Sequence, residues 1–215
     1  MRYKTIIFDL DGTLLDTLGD LSSSVNYALR QHGLPERSKA DVRQFLGNGI
    51  SRLIEQSVPK GTKEEKTETV LQTFREYYLV HSLDETAPYE GIMELLYKLR
   101  DMDIATAIVS NKLDPAVKDL HRYFFSDTIR VAIGETATIR RKPAPDMVDE
   151  CIRLLECEHE SCLYVGDSEV DLQTARNAAL PCCSVSWGFR DREQLIEAGA
   201  DIIIDKPEEL IGVIQ

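Results

Sequence analysis

The chain has 215 residues, enough for one large domain or for a main domain with a smaller insertion. Its 43% hydrophobic and 29% charged content is that of an ordinary globular protein and excludes a disordered or fibrous one. A net charge of −12 argues against a nucleic-acid surface, which needs a basic excess, and no apolar run approaches the length that spans a bilayer. The N-terminus MRYKTIIFDL lacks the apolar length and small-residue cleavage site of a signal peptide, so the expectation is a cytoplasmic protein with a small-molecule partner, no nucleic acid and no membrane. Five cysteines (Cys151, Cys157, Cys162, Cys182 and Cys183) form no CxxC pair and read as reduced, mostly buried thiols.

The first element is the apolar run within TIIFDLDGTLLDT (5–17), a buried strand whose end carries Asp9 and Asp11. Their shared parity points both carboxylates the same way, where like charges repel unless something cationic lies between them, which hints at a metal site. Leu18, Leu21, Val25, Ala28 and Leu29 then recur at helical spacing, with Thr17 as N-cap and Gly33 as the stop. Two more helical stretches follow, 39–56 interrupted by Gly47, Asn48 and Gly49, and 63–81, so residues 16–85 read as all-helical.

From Tyr89 onward helices alternate with short apolar runs: IATAIVS (104–110), IRVAI (129–133), CLYVG (162–166), CCSVS (182–186) and DIIID (201–205). The helices between them are expected at 90–102, 114–124, 143–156, 169–179 and 191–199, the alternation of a parallel sheet covered by helices. The fold class is therefore α/β, with a Rossmann-like parallel-sheet core made of residues 1–15 and 88–215 and an inserted all-α helical-bundle cap at 16–87. In such open sheets, ligands bind at the carboxyl ends of the strands.

Four motifs fall at those ends: DLDGT (9–13), VSN ending at Asn111, RKP (141–143) and GDSEVD (166–171). Each alone has a plain alternative. DLDGT is not an EF-hand loop, which places its glycine sixth, whereas Gly12 is fourth counted from Asp9. VSN alone fits a strand-to-helix cap, RKP a solvated loop, and GDSEVD a glycine turn with an acidic first helical turn. All four plain readings would have to hold at successive strand ends.

In this order the motifs resemble those of the haloacid dehalogenase superfamily, and the resemblance spans essentially the whole chain, including a cap between the first and second motifs. It implies a phosphatase in which Asp9 is the nucleophile and Asp11 the acid and base. It also implies Mg²⁺ as cofactor, held by Asp9, the backbone carbonyl of Asp11, and Asp167, with Asp171 completing the acidic cluster. A carboxylate attacking phosphorus splits one displacement into two, provided that the incoming negative charge is neutralised. Ser110 offers a hydroxyl and Asn111 an N–H to the phosphate, and Lys142 sets a positive charge between phosphate and Asp9. Gly12 and Thr13 shape the phosphate-side turn.

The Gly47–Asn48–Gly49 loop resembles that of phosphoglycolate phosphatases, and Arg43 and Arg52, which flank it, are candidates for pairing with a substrate carboxylate. The expected substrate is a small phosphorylated metabolite, and the chain is compatible with a monomer or a homodimer. GETATIRRKP departs from the acidic segment that relatives often carry before the lysine, and PYEG (88–91) lacks a second proline. A dehalogenase would not need Asp11 or the second acidic cluster, and no cap lysine has a context that marks a phosphonatase. Pyrophosphatase, β-phosphoglucomutase and other sugar or nucleotide phosphatases share the four motifs, while a catalytically idle binding protein would not need Asp9, Asp11, Lys142 and Asp167 intact.

Overall fold

β1 (Thr5–Phe8) is buried along its whole length, because it runs through the interior of a six-stranded sheet rather than along an edge. The computed structural model describes residues 2–215. After β1 the chain enters β2 (Leu15–Asp16), α1 (Leu18–Gln31), α2 (Lys39–Phe45), α3 (Gly49–Ser57) and α4 (Glu64–His81), and comes back through β3 (Ala87–Pro88). It then runs through α5 (Ile92–Asp101), β4 (Ala105–Leu113), α6 (Asp114–Phe124), β5 (Val131–Glu135), α7 (Asp146–Leu155), β6 (Cys162–Gly166), α8 (Glu169–Asn177), β7 (Cys182–Val185), α9 (Arg192–Glu197), β8 (Ile202–Ile204) and α10 (Leu210–Ile214).

The large sheet has the order β5-β4-β1-β6-β7-β8, with every pairing parallel. This is the α/β, Rossmann-like architecture expected. Ile7, Val109, Ile133 and Tyr164, from four neighbouring strands, pack with Met147, Val148 and Cys151 of α7 and Ala175 of α8 in one buried cluster. Chain contacts divide the molecule into two units, Met1–Leu14 with Pro88–Gln215, and Leu15–Ala87.

Three expectations shift in detail. The strand expected at 129–133 starts two residues later, because the Ile129 N–H is taken by the Phe125 carbonyl in the turn that closes α6. The strand expected to end at Ser110 runs on to Leu113 through an irregular register between Val109 and Leu113. At the start of α1, Thr17 has φ −105° and ψ 1° instead of the extended cap conformation, and its hydroxyl makes no capping bond; the Leu18 N–H is accepted by Asp16 instead.

Within the helical unit, α1 packs on α4, with Tyr27 and Tyr77 stacked at 3.9 Å. The break between α2 and α3 is set by Gly47 (φ 112°) and Gly49 (φ 78°), conformations that favour glycine. Asp20 of α1 is buried, and its carboxylate accepts from the Glu85 N–H, the Thr86 N–H and the Thr86 hydroxyl at 2.7–2.9 Å, tying the end of the unit to its start. Charge-assisted bonds of this kind stabilise more than neutral ones, and losing them leaves buried donors unpaired. Asp20→Ala is therefore expected to lower the unfolding free energy by about 2–4 kcal/mol, read as a fall in the urea midpoint, whereas an unchanged midpoint would contradict this account.

Candidate active site

The chain leaves the sheet straight from the buried β1, and the Asp9 N–H still donates to the Val165 carbonyl at 2.8 Å, so the Asp9 backbone is held as firmly as the strand itself. The strand ends at Phe8, so the alternation rule that placed Asp9 and Asp11 on one face no longer governs them. Their carboxylates go to different lysines. Asp9 Oδ1 lies 2.7 Å from Lys142 Nζ, and Asp11 Oδ1 and Oδ2 lie 2.9 and 3.2 Å from Lys112 Nζ. The Asp11 charge is still near enough to push the Asp9 pKa up.

Gly12 turns the chain at φ 89°, and a Cβ there would collide with the Asp167 carboxylate. The Thr13 hydroxyl donates to Asp167 Oδ1 at 3.3 Å. At the end of β4, Ser110 and Asn111 are buried. The Ser110 hydroxyl accepts from the Lys112 N–H at 3.2 Å. The Asn111 amide grips the Lys142 backbone from both sides, accepting its N–H at 2.8 Å and donating to its carbonyl at 3.1 Å.

Lys142 is thereby aimed into the cluster, where its ammonium meets Asp9 and Asp171 at 2.7 Å each and the Tyr164 hydroxyl at 3.2 Å. Asp171 is the third residue of α8, and its carboxylate takes Ser168 N–H and Oγ at 3.1 and 2.6 Å on one oxygen, and Lys142 with the Tyr164 hydroxyl on the other. A carboxylate offers about four acceptor positions, so protein donors already fill those of Asp171. Asp167 differs: one oxygen accepts from Thr13 and the other from the Phe189 N–H at 2.6 Å, which leaves acceptor positions open.

The buried carboxylates of Asp9, Asp167 and Asp171 place one oxygen each within 4.8 Å of one another. Against Lys142 alone, three carboxylates and one ammonium leave a buried charge of −2 when all are ionised. Burial pushes Asp9 up to about 7, with Lys142 pulling the other way and Asp171 adding to the rise. Burial, then Asp171 and Asp9, raise Asp167 well above the usual carboxylate range. Burial disfavours the charged form of Lys142, but Asp171 and Asp9 outweigh it and hold the lysine well above its ordinary value. A set of hard oxygen donors with an unbalanced double negative charge fits a divalent cation such as Mg²⁺.

A sequence model of the haloacid dehalogenase-like hydrolases matches residues 6–185. The chain belongs to that family. Phosphoglycolate phosphatase 1 of Pseudomonas aeruginosa is 30% identical over 97% of this chain and 78% of its own length, and the pyrophosphatase PpaX of Listeria welshimeri is 28% identical over 100% and 97%. Among solved structures, a protein of Lactobacillus delbrueckii subsp. bulgaricus provisionally named as a phosphoglycolate phosphatase superposes with a TM-score of 0.94 at 37% identity, covering 100% of this chain and 99% of that one.

The structure of this hydrolase brings Asp9, Asp11, Gly12, Thr13, Ser110, Asn111, Lys142, Asp167 and Asp171 to the carboxyl edge of the sheet in one unit. The remaining candidates belong to the helical unit, where Asn48 precedes α3 without a side-chain capping bond and Arg52 pairs with Glu55 at 2.9 Å on an exposed face. Sequence reasoning missed the segment after β7. The Trp187 indole donates to the Thr13 carbonyl at 3.0 Å, and the guanidinium of the buried Arg190 grips Glu169 bidentately at 2.8 and 3.0 Å. A Cβ on Gly188 would collide with the Gly12 carbonyl and the Asp167 side chain. Its signal was available, since SWGFR follows a strand candidate just as the other motifs do.

The raised pKa of Asp9 has a consequence for stability when no metal is bound. Between the ordinary value of 3.8 and about 7 the folded state holds a proton that the unfolded state has released, so stability falls as pH rises through that window, and Asp167 acts in the same direction. In EDTA the melting temperature is expected to drop between about pH 4 and pH 7, and Asp9→Asn should make that drop shallower. An equally steep drop in the variant would contradict the assignment.

Proposed function

We infer that this hydrolase cleaves small phosphate monoesters through a phosphorylated Asp9, with Mg²⁺ held by Asp9, Asp167 and the backbone carbonyl of Asp11. The observation that carries the reading is the Lys142 ammonium, held 2.7 Å from the Asp9 carboxylate as the cation facing the three buried carboxylates of Asp9, Asp167 and Asp171. Asp9 and Asp167 keep acceptor positions for a cation, while the filled Asp171 acts by orienting Lys142. Bound there, the ion supplies positive charge against the combined charge of phosphate and carboxylate.

Asp9 attacks phosphorus, the bond to the ester oxygen breaks, and that oxygen takes a proton from Asp11 as the alcohol leaves. Asp11, now ionised, takes a proton from a water molecule that attacks the phosphoaspartate, and Asp9 is regenerated with release of phosphate. Lys142, the Ser110 hydroxyl and the Asn111 N–H offset charge on the phosphoryl oxygens during both displacements. Lys142 does so without reorganising, since Asn111 and Asp171 already hold it.

For the substrate we assign phosphoglycolate, on the identity to relatives carrying that name and on the Gly47–Asn48–Gly49 loop; pyrophosphate is the rival, on the Listeria relative. Phosphate release should be measured across phosphoglycolate, pyrophosphate, hexose phosphates and nucleoside monophosphates, with Mg²⁺ and with EDTA. Phosphoglycolate is expected to give the highest kcat/KM, EDTA to abolish turnover, and Asp9→Asn to lower it by at least about a thousandfold. Equal rates in EDTA, or an active Asp9→Asn, would end the mechanism.

The cap loop has its own test. Asn48→Ala is expected to lower kcat/KM for phosphoglycolate about fivefold or more while leaving p-nitrophenyl phosphate within about twofold. Equal losses on both substrates would mean a folding defect instead.

A further inference from the structure

Lys112 has no part in the four motifs, yet its ammonium lies 2.9 and 3.2 Å from the two oxygens of Asp11. The pair is sheltered, with side-chain exposures of 7% for the lysine and 19% for the aspartate. Most other ion pairs of the chain are far more exposed, such as Arg122–Asp119 at 74% and 72%. Taking a lysine out of water costs free energy that one ion pair barely recovers, so stability alone gives little reason to place it there.

The backbone under Lys112 is also unusually constrained. Its N–H is held by the Ser110 hydroxyl, and two residues on the Asp114 carboxylate accepts the Gly134 N–H at 2.9 Å. A Cβ on Gly134 would sit 2.6 Å from the Lys112 carbonyl oxygen, so β5 runs directly against this backbone. The lysine is thus mounted on two adjacent strands at the irregular end of β4. Asp11, by contrast, lies beyond the end of β1, next to a glycine with positive φ.

We propose that Lys112 is the positioning residue for proton transfer, holding the Asp11 carboxyl group in line with the ester oxygen and then with the attacking water. This rests on the phosphoaspartate reading above. Proton transfer by a placed side chain contributes about 10²- to 10⁴-fold and depends on that placement. Esters with a poor leaving group need the Asp11 proton in the first displacement; p-nitrophenyl phosphate does not. Both need Asp11 to activate water in the second.

The test compares wild type, Lys112→Met and Lys112→Arg in rapid-mixing assays with Mg²⁺, using p-nitrophenyl phosphate and an alkyl phosphate. Lys112→Met is expected to release about one equivalent of p-nitrophenolate per enzyme at a rate within about threefold of wild type, then to turn over about 30- to 100-fold more slowly. Acid-quenched samples from that slow phase should contain hydroxylamine-labile phosphoenzyme. On the alkyl phosphate the same variant should be slowed without any burst, and Lys112→Arg should recover part of kcat on both substrates. Unchanged turnover, or a burst amplitude that falls in proportion to kcat, would overturn the proposal, the latter marking damaged sites instead of a misplaced Asp11. Should the Asp9→Asn variant stay active, the underlying mechanism fails; should that variant be inactive while Lys112→Met accumulates no phosphoenzyme, only the role of Lys112 fails.

Discussion

An ammonium group shut away from water between two carboxylates is the interaction on which the carboxyl edge of the sheet depends. Lys142 cannot sit there uncharged without stranding Asp9 and Asp171, and neither carboxylate can lose it without leaving a buried charge unbalanced. Each partner comes from a different place in the chain: Asp9 from the end of β1, Lys142 from the segment between β5 and α7, Asp171 from the first turn of α8. The ion pairs therefore hold their relative positions only if the sheet register holds. Asn111, by binding both backbone polar groups of Lys142, converts that register into the direction of one side chain.

Around this group the fold accepts features that would be faults elsewhere. Three carboxylates crowd together, a strand carries an irregular register, and two glycines occupy places where any side chain would collide with neighbours. The compensation lies nearby, in a sheet buried from Ile7 to Tyr164 and in the Arg190–Glu169 pair that pins the first turn of α8. Stability gathered in the core is what allows a repulsive cluster to persist at the rim.

How much of this was legible in the sequence follows from the range of each signal. The alternation of apolar runs and helical periods from Tyr89 onward is a local pattern, and it gave the strands to within a few residues. Motifs that follow strands were equally legible, because the carboxyl edge of a parallel sheet gathers whatever lies there. Partners fixed only by packing were hidden. Nothing in the spacing says that Asp171 is filled by Ser168, Tyr164 and Lys142, that Asp20 ties two backbone N–H groups 65 and 66 residues away, or that Asp9 and Asp11 part company once β1 has ended. Thr17 does stand at the N-cap position of α1, but its backbone conformation, and hence the missing hydroxyl cap bond, could not be read from residue type.

Trp187 is the chain's one tryptophan, and its indole is hydrogen-bonded to the turn that carries Thr13, itself bonded to Asp167. Indole emission responds to the polarity and hydrogen bonding of its surroundings, so a single fluorophore reads the geometry of the acidic cluster without any label. A rearrangement of that turn would therefore have an optical readout in the native chain, independent of whether any substrate is turned over.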